Sequence, residues 1–151
     1  TLYYETKQFK LAIEDMNHLI ELSPREASYY DYRGGMYHEL QQYDLAIQDY
    51  TKAIELNPDF DLSYNNRAFT YNYLKKYDLA LIDALKALEI DPKQLATLDT
   101  IAWIYDELGD KEKAIHYFEE YLANAKSDKD YVKQYHENIK KVEKRLTELK
   151  N

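Results

Sequence analysis

An all-α fold built from paired helices is predicted by three features of this sequence. Gly and Pro occur only three times each in 151 residues, while Ala, Leu, Lys, Glu and Gln are plentiful, a composition that favours helix throughout. Pro24, Pro58 and Pro92 stand 34 residues apart, a spacing that marks stacked structural repeats. Between the prolines, apolar residues recur at helical spacing twice, as in Tyr64, Ala68 and Tyr71, then Tyr77, Ala80, Leu81, Ala84, Ala87 and Leu88.

A second series fixes the same period. Ala12, Ala46, Ala80 and Ala114 are each followed by an aliphatic residue, and the stretch before each proline repeats as Ile20-Glu21-Leu22-Ser23, Ile54-Glu55-Leu56-Asn57 and Leu88-Glu89-Ile90-Asp91. Each unit therefore reads as two helices. A turn separates them at Gln41-Gln42, Lys75-Lys76 and Gly109-Asp110. The proline ends the second helix because it disfavours helical geometry in the residue before it.

The unit 27–60 carries Tyr30, Gly34, Tyr37, Ala46, Tyr50, Ala53 and Pro58, and the unit 61–94 carries Tyr64, Ala68, Tyr71, Ala80, Ala84, Ala87 and Pro92. With these aromatic, small and proline positions, the 34-residue unit resembles the tetratricopeptide repeat. The unit 95–128 keeps Leu98, Ala102, Tyr105, Ala114 and Phe118 but has Tyr121 and Lys126 where small and proline residues are expected. Residues 1–26, with Tyr3, Phe9, Ala12, Met16 and Pro24, match the later part of a further repeat, as though the chain began inside one in a longer protein. The resemblance implies a right-handed superhelical solenoid of antiparallel helix pairs, whose first helices line a concave groove for a segment of a partner protein.

Small residues let helices approach, so Ala46, Ala80 and Ala114 are expected at helix crossings. Gly34 and Gly35 each cost a helix about 1 kcal/mol relative to Ala. Close packing offsets that for Gly34; Gly35 falls on another face, where it either leaves room for a ligand backbone or reflects drift. Among 17 tyrosines, Tyr3, Tyr30, Tyr37, Tyr43, Tyr50, Tyr64, Tyr71, Tyr77 and Tyr105 occupy packing positions, with hydroxyls reaching the surface or a local acceptor.

One step around from the packing stripe lie the groove candidates. They are Asp31, Tyr32 and Glu39 in the first full unit, Asn65, Asn66, Phe69, Asn72 and Tyr73 in the second, and Asp99, Trp103, Asp106 and Glu107 in the third, with Gly35 and His38 beside them. None of these positions is Lys or Arg. Some relatives grip a C-terminal carboxylate with basic groove residues; the matching positions here include Asn66, Ala96 and Thr100, so no such clamp is expected. An acidic groove with amides and aromatics suits an extended basic or mixed peptide, through backbone hydrogen bonds and cation-π contacts.

From about Asp130 the repeat signature is lost, and Val132, Tyr135, Ile139, Val142, Leu146 and Leu149 follow in steps of three and four. This spacing predicts one amphipathic helix over 129–151 that caps the last repeat. Its heptad character also admits pairing with a second copy. Residues from Lys126 onward carry a net +3, leaving −11 on the body.

The net charge of −8 speaks against nucleic acid. No apolar run approaches the roughly 20 residues that span a bilayer, and the absence of cysteine suits a reducing compartment such as the cytoplasm. No phosphate-binding glycine loop, zinc-protease motif or coherent set of metal ligands occurs. The sequence thus predicts no enzyme activity and no cofactor. It predicts a peptide-binding module first, with self-assembly through the final helix or regulation of a larger protein as alternatives.

Overall fold

The computed structural model describes residues 2–151, with side chains from residue 7 onward, so Tyr3 lies outside the described side chains. The chain divides into two compact units, Thr1–Ile90 and Asp91–Asn151.

Unit 1 contains α1 (Leu2–Leu22), α2 (Ala27–Glu39), α3 (Tyr43–Leu56), α4 (Asp61–Tyr73) and α5 (Tyr77–Ile90). Each helix packs on the next in sequence, and α2 also touches α4. Ala46, Ala53, Ala68, Ala80, Ala84 and Ala87 are fully buried, as helix crossings lined by small residues require. Tyr50 is buried with them, while Tyr30 is half-buried and its hydroxyl donates to the Pro24 carbonyl at 3.1 Å.

The predicted turns are short because each first helix ends in the left-handed region. Gln41 has φ 59° and Lys75 has φ 58°. Gln42 N–H returns to the Tyr37 carbonyl and Lys76 N–H to that of Tyr71, both at 2.8 to 2.9 Å, closing the six-residue loop of a Schellman motif. Gly109, φ 75°, does the same in unit 2, where Asp110 N–H bonds Tyr105 at 3.0 Å.

Two arginines tie each first helix to the second helices on either side. Arg33 holds the Asp49 carboxylate through Nε and Nη2 at 2.7 Å and reaches Asn17 Oδ1 with Nη1. One repeat later, Arg67 holds Asp83 at 2.7 and 2.8 Å and reaches Thr51 Oγ1. The bidentate geometry uses the planar guanidinium fork. Ile101 and Tyr117 stand at these positions in the third repeat, and Ile101 is fully buried.

Unit 2 contains α6 (Leu95–Glu107), α7 (Lys111–Ser127), α8 (Lys129–Gln134) and α9 (His136–Lys150). Ala114, Phe118 and Tyr121 are fully buried. Ile139, Val142 and Leu149 are buried on α9, which packs against α7. The single final helix expected from residue spacing is broken at Tyr135, where φ is −112° and ψ 26°. The break stacks Tyr135 on Tyr131, with ring centres 4.4 Å apart, and brings the Tyr131 hydroxyl to that of Tyr121. Asp128 caps α8 by accepting from the N–H groups of Asp130 and Tyr131.

Candidate functional site

In unit 1 the neighbouring helices α2 and α4 meet along a polar seam. Asp31, only 6% exposed, accepts from Ser63 Oγ at 2.7 Å and from Asn66 Nδ2 at 3.2 and 3.3 Å. Burial raises the pKa of this carboxyl group, opposed by those two hydrogen bonds. The groove reading of Asp31 therefore needs correcting: the residue holds α4 in place and does not lie open. Asn65 is buried as well, and the Oδ1 atoms of Asn65 and Asn72 have no hydrogen-bond donor among the described residues.

Above the seam lies a cleft of about 220 Å³ lined by Gly35, His38, Glu39, Tyr50, Asn66 and Phe69. Its chemistry follows from how the lining side chains are held. The Asn66 amide nitrogen is turned to Asp31, so Oδ1 is the atom left to accept a bond. Thr70 gives its hydroxyl proton to the Asn66 carbonyl at 2.9 Å. His38 Nδ1 lies 2.9 Å from the same Thr70 Oγ1, which ties the ring to α4. Burial lowers the His38 pKa and keeps the ring neutral at pH 7, against a smaller upward push from Glu39. The Tyr50 phenol is raised, first by burial and then by the charge of Asp31, with Glu39 adding to it.

An aromatic wall continues the cleft. The His38 ring lies 5.2 Å from Tyr43, 5.3 Å from Phe69 and 5.9 Å from Tyr73. Tyr43 and Tyr73 are 4.9 Å apart, and the hydroxyl contact between them pushes Tyr43 up to about 12. Phe69 and Tyr73 nevertheless keep more than half of their surface exposed, 51% and 60%. Tyr32 is exposed too but lies outside the cleft lining.

The candidates in unit 2 are already engaged by their own chain. Asp99 accepts from Trp103 Nε1 at 2.9 Å and from Asn138 Nδ2 at 3.4 Å, and burial raises its pKa. Lys141 Nζ sits 4.4 Å from the centre of the Trp103 ring, whose edge meets Phe118. Arg145 clasps Asp106 with Nε and Nη2 at 2.7 and 2.8 Å. Asp99, Trp103 and Asp106, expected to await a partner, thus face Asn138, Lys141 and Arg145 of α9. The physical reason is charge: the basic face of α9 finds its counterions on α6. Glu107 is exposed at the end of α6.

The structure adds Tyr50 to the site and brings it together with Gly35 and His38. Gly35 and His38 lie on the groove face that the spacing defined. Tyr50 reads as core from its position, because only three dimensions show that its buried ring also floors a cleft. Among the described residues, no group of three or more His, Asp or Glu side chains is placed to hold a metal, and no helix is long and apolar enough to cross a membrane.

Comparison with known proteins agrees with this architecture. Three sequence profiles match: a tetratricopeptide repeat over residues 59–127, a TPR repeat over 34–72 and a tetratricopeptide repeat over 1–26. The chain belongs to the tetratricopeptide-repeat family. Among solved structures, it is similar to the Arabidopsis OM64 TPR domain at 25% identity and a TM-score of 0.70, over 82% of this chain and 95% of that one. It also resembles the MamA protein, at 23% identity and a TM-score of 0.71 over 82% and 67% of the two chains. A third likeness is to the first TPR of Spaghetti (RPAP3) bound to HSP90 peptide SRMEEVD, at 23% identity and a TM-score of 0.67 over 81% and 94%. No curated protein sequence matches. The family and fold are those of a protein–protein interaction module.

Proposed function

We propose that the chain captures an extended segment of a partner protein along the α2–α4 face of unit 1. The observation that carries this reading is the cleft itself: Asn66 is pinned by Asp31 with its carbonyl oxygen left over, beside the exposed Phe69 and Tyr73 rings. An oriented acceptor next to apolar faces bonds peptide N–H groups and covers partner side chains. The peptide bound by the similar RPAP3 domain supports a peptide ligand in general. The lining here, with an exposed carboxylate on Glu39 and no Lys or Arg, favours a basic or mixed segment over an acidic one.

Self-association through the final helix is the weaker reading, since Ile139, Val142 and Leu149 are buried in a helix that packs on α7. Selection from a random peptide display library tests the leading one. Selected peptides should lose at least tenfold in affinity to Asn66→Ala and Phe69→Ala variants that retain wild-type helicity. Undiminished binding by both variants would remove this face as the site.

A further inference from the structure

The cleft is smaller than the roughly 300–1,000 Å³ typical of small-molecule sites, and at about 220 Å³ it admits one long side chain. Two of the polar groups that line it are acceptors, the Glu39 carboxylate and Asn66 Oδ1. The nearest arginines of unit 1 are committed elsewhere, Arg33 to Asp49 and Arg67 to Asp83. A site with these acceptors, an aromatic face and no cation calls for a cationic donor.

Unit 2 shows what such a face takes. Asp99, Trp103 and Asp106 occupy the repeat positions of Asn65, Phe69 and Asn72, and of Asp31, Gly35 and His38 one repeat earlier. On that face Trp103 carries an ammonium 4.4 Å from its ring centre, and Asp106 is clasped by a guanidinium. At these positions Trp103 and Asp106 therefore bind basic side chains in this molecule, and Phe69 is the unit 1 counterpart of Trp103. In unit 1 the Gly35 position has no side chain, and a Cβ there would have Tyr50 Oη as its neighbour only at 3.9 Å. The cleft beside Gly35 is thus left open.

We propose that the cleft is an arginine seat, in which one guanidinium of the partner segment stacks on Phe69 and donates to Glu39 and Asn66 Oδ1. Arginine fits better than lysine because its donors lie in a plane that stacks on a ring while bonding acceptors around its rim. This inference rests on the peptide-binding reading and adds the identity of one anchoring residue.

The test uses the whole chain, ¹⁵N-labelled, titrated with Nα-acetyl-arginine amide and with its citrulline, lysine and glutamate counterparts. The arginine probe should shift the amide signals of Gly35, Glu39 and Asn66, at least tenfold more tightly than citrulline, which has the same shape without the charge. Glu39→Gln, an exposed change that leaves the fold intact, should weaken the arginine probe about tenfold, the scale of one charge-assisted hydrogen bond. Gly35→Leu should block the cleft, with thermal melting as the check on folding. Equal responses to arginine and citrulline, or to arginine and lysine, overturn the seat, as does a Glu39→Gln variant that binds unchanged. Display-selected peptides separate this failure from that of the broader reading. Peptides that map to α2 and α4 without an arginine preference sink the seat alone, whereas peptides that map elsewhere sink both.

Discussion

Gly34 lies so close beneath the ring of Tyr50 that a Cβ on it would stand 2.8 Å from Cε1 and 2.9 Å from Cδ1. The aromatic side chain occupies the space that a methyl group would need. One repeat later the same two positions hold Ala68 and Ala84, both fully buried, so a smaller partner accompanies the larger helix residue. Gly34→Ala should therefore destabilise by about 1–3 kcal/mol through overpacking, despite the gain in helix propensity. Its neighbour should respond in the opposite sense. Gly35→Ala meets nothing nearer than 3.9 Å and should stabilise by about 0.5–1 kcal/mol. Urea unfolding of the two single variants checks both signs at once.

The left-handed turns make a second prediction. A side chain at φ near 60° costs roughly 1 kcal/mol, and glycine removes that cost. Lys75→Gly and Gln41→Gly should each raise stability by about 0.5–1 kcal/mol, because Gly109 already adopts this geometry in unit 2. Thermal melting would show the gain; a fall in either variant would count against the Schellman assignment.

The Arg67–Asp83 pair is buried enough for its halves to depend on each other, with the side chains 16% and 6% exposed. Asp83→Ala should cost about 3 kcal/mol by stranding a guanidinium between helices. Replacing both partners by apolar residues, Arg67→Met with Asp83→Leu, should recover most of that loss. A double-mutant cycle in urea measures the coupling, and additive single effects would argue against it.

The His38 contribution to the stability of unit 1 should fall on mild acidification. Burial holds the His38 pKa below its ordinary 6.5. Above pH 6.5 the ring is neutral in both folded and unfolded chains, and its contribution is complete. As pH falls below that value the unfolded chain takes up the proton first, so stability declines until the lowered folded pKa is reached. The slope of stability between pH 7 and 5 should be shallower in His38→Gln than in the wild type. Parallel slopes would mean that this ring does not carry the dependence.

Helix pairing and turn positions were legible in the sequence because they depend on spacing, and proline, alanine and the turn residues recur at one period. The bend at Tyr135 was not, since the apolar steps from Val132 to Leu149 continue through it and periodicity does not record a local change of backbone angle. The groove face was found by rotation from the packing stripe, yet rotation cannot tell an open position from one bridged to a neighbouring helix. Asp31 and Phe69 share that face, and the first is closed by Ser63 and Asn66 while the second stands open. The partners of Asp99 and Asp106 were hinted at by the basic excess after Lys126, although charge balance alone does not say which acid meets which base.

Trp103 is the sole tryptophan, and the Lys141 ammonium rests on its face. The molecule thus carries its own optical label, placed in unit 2 where α9 meets α6. Indole emission follows the docking of that helix, whereas far-ultraviolet ellipticity sums over every helix. Denaturation curves from the two signals that coincide mean one cooperative transition, and curves that separate mean units that melt in turn. A single unmodified sample can therefore show whether these repeats behave as one body or two.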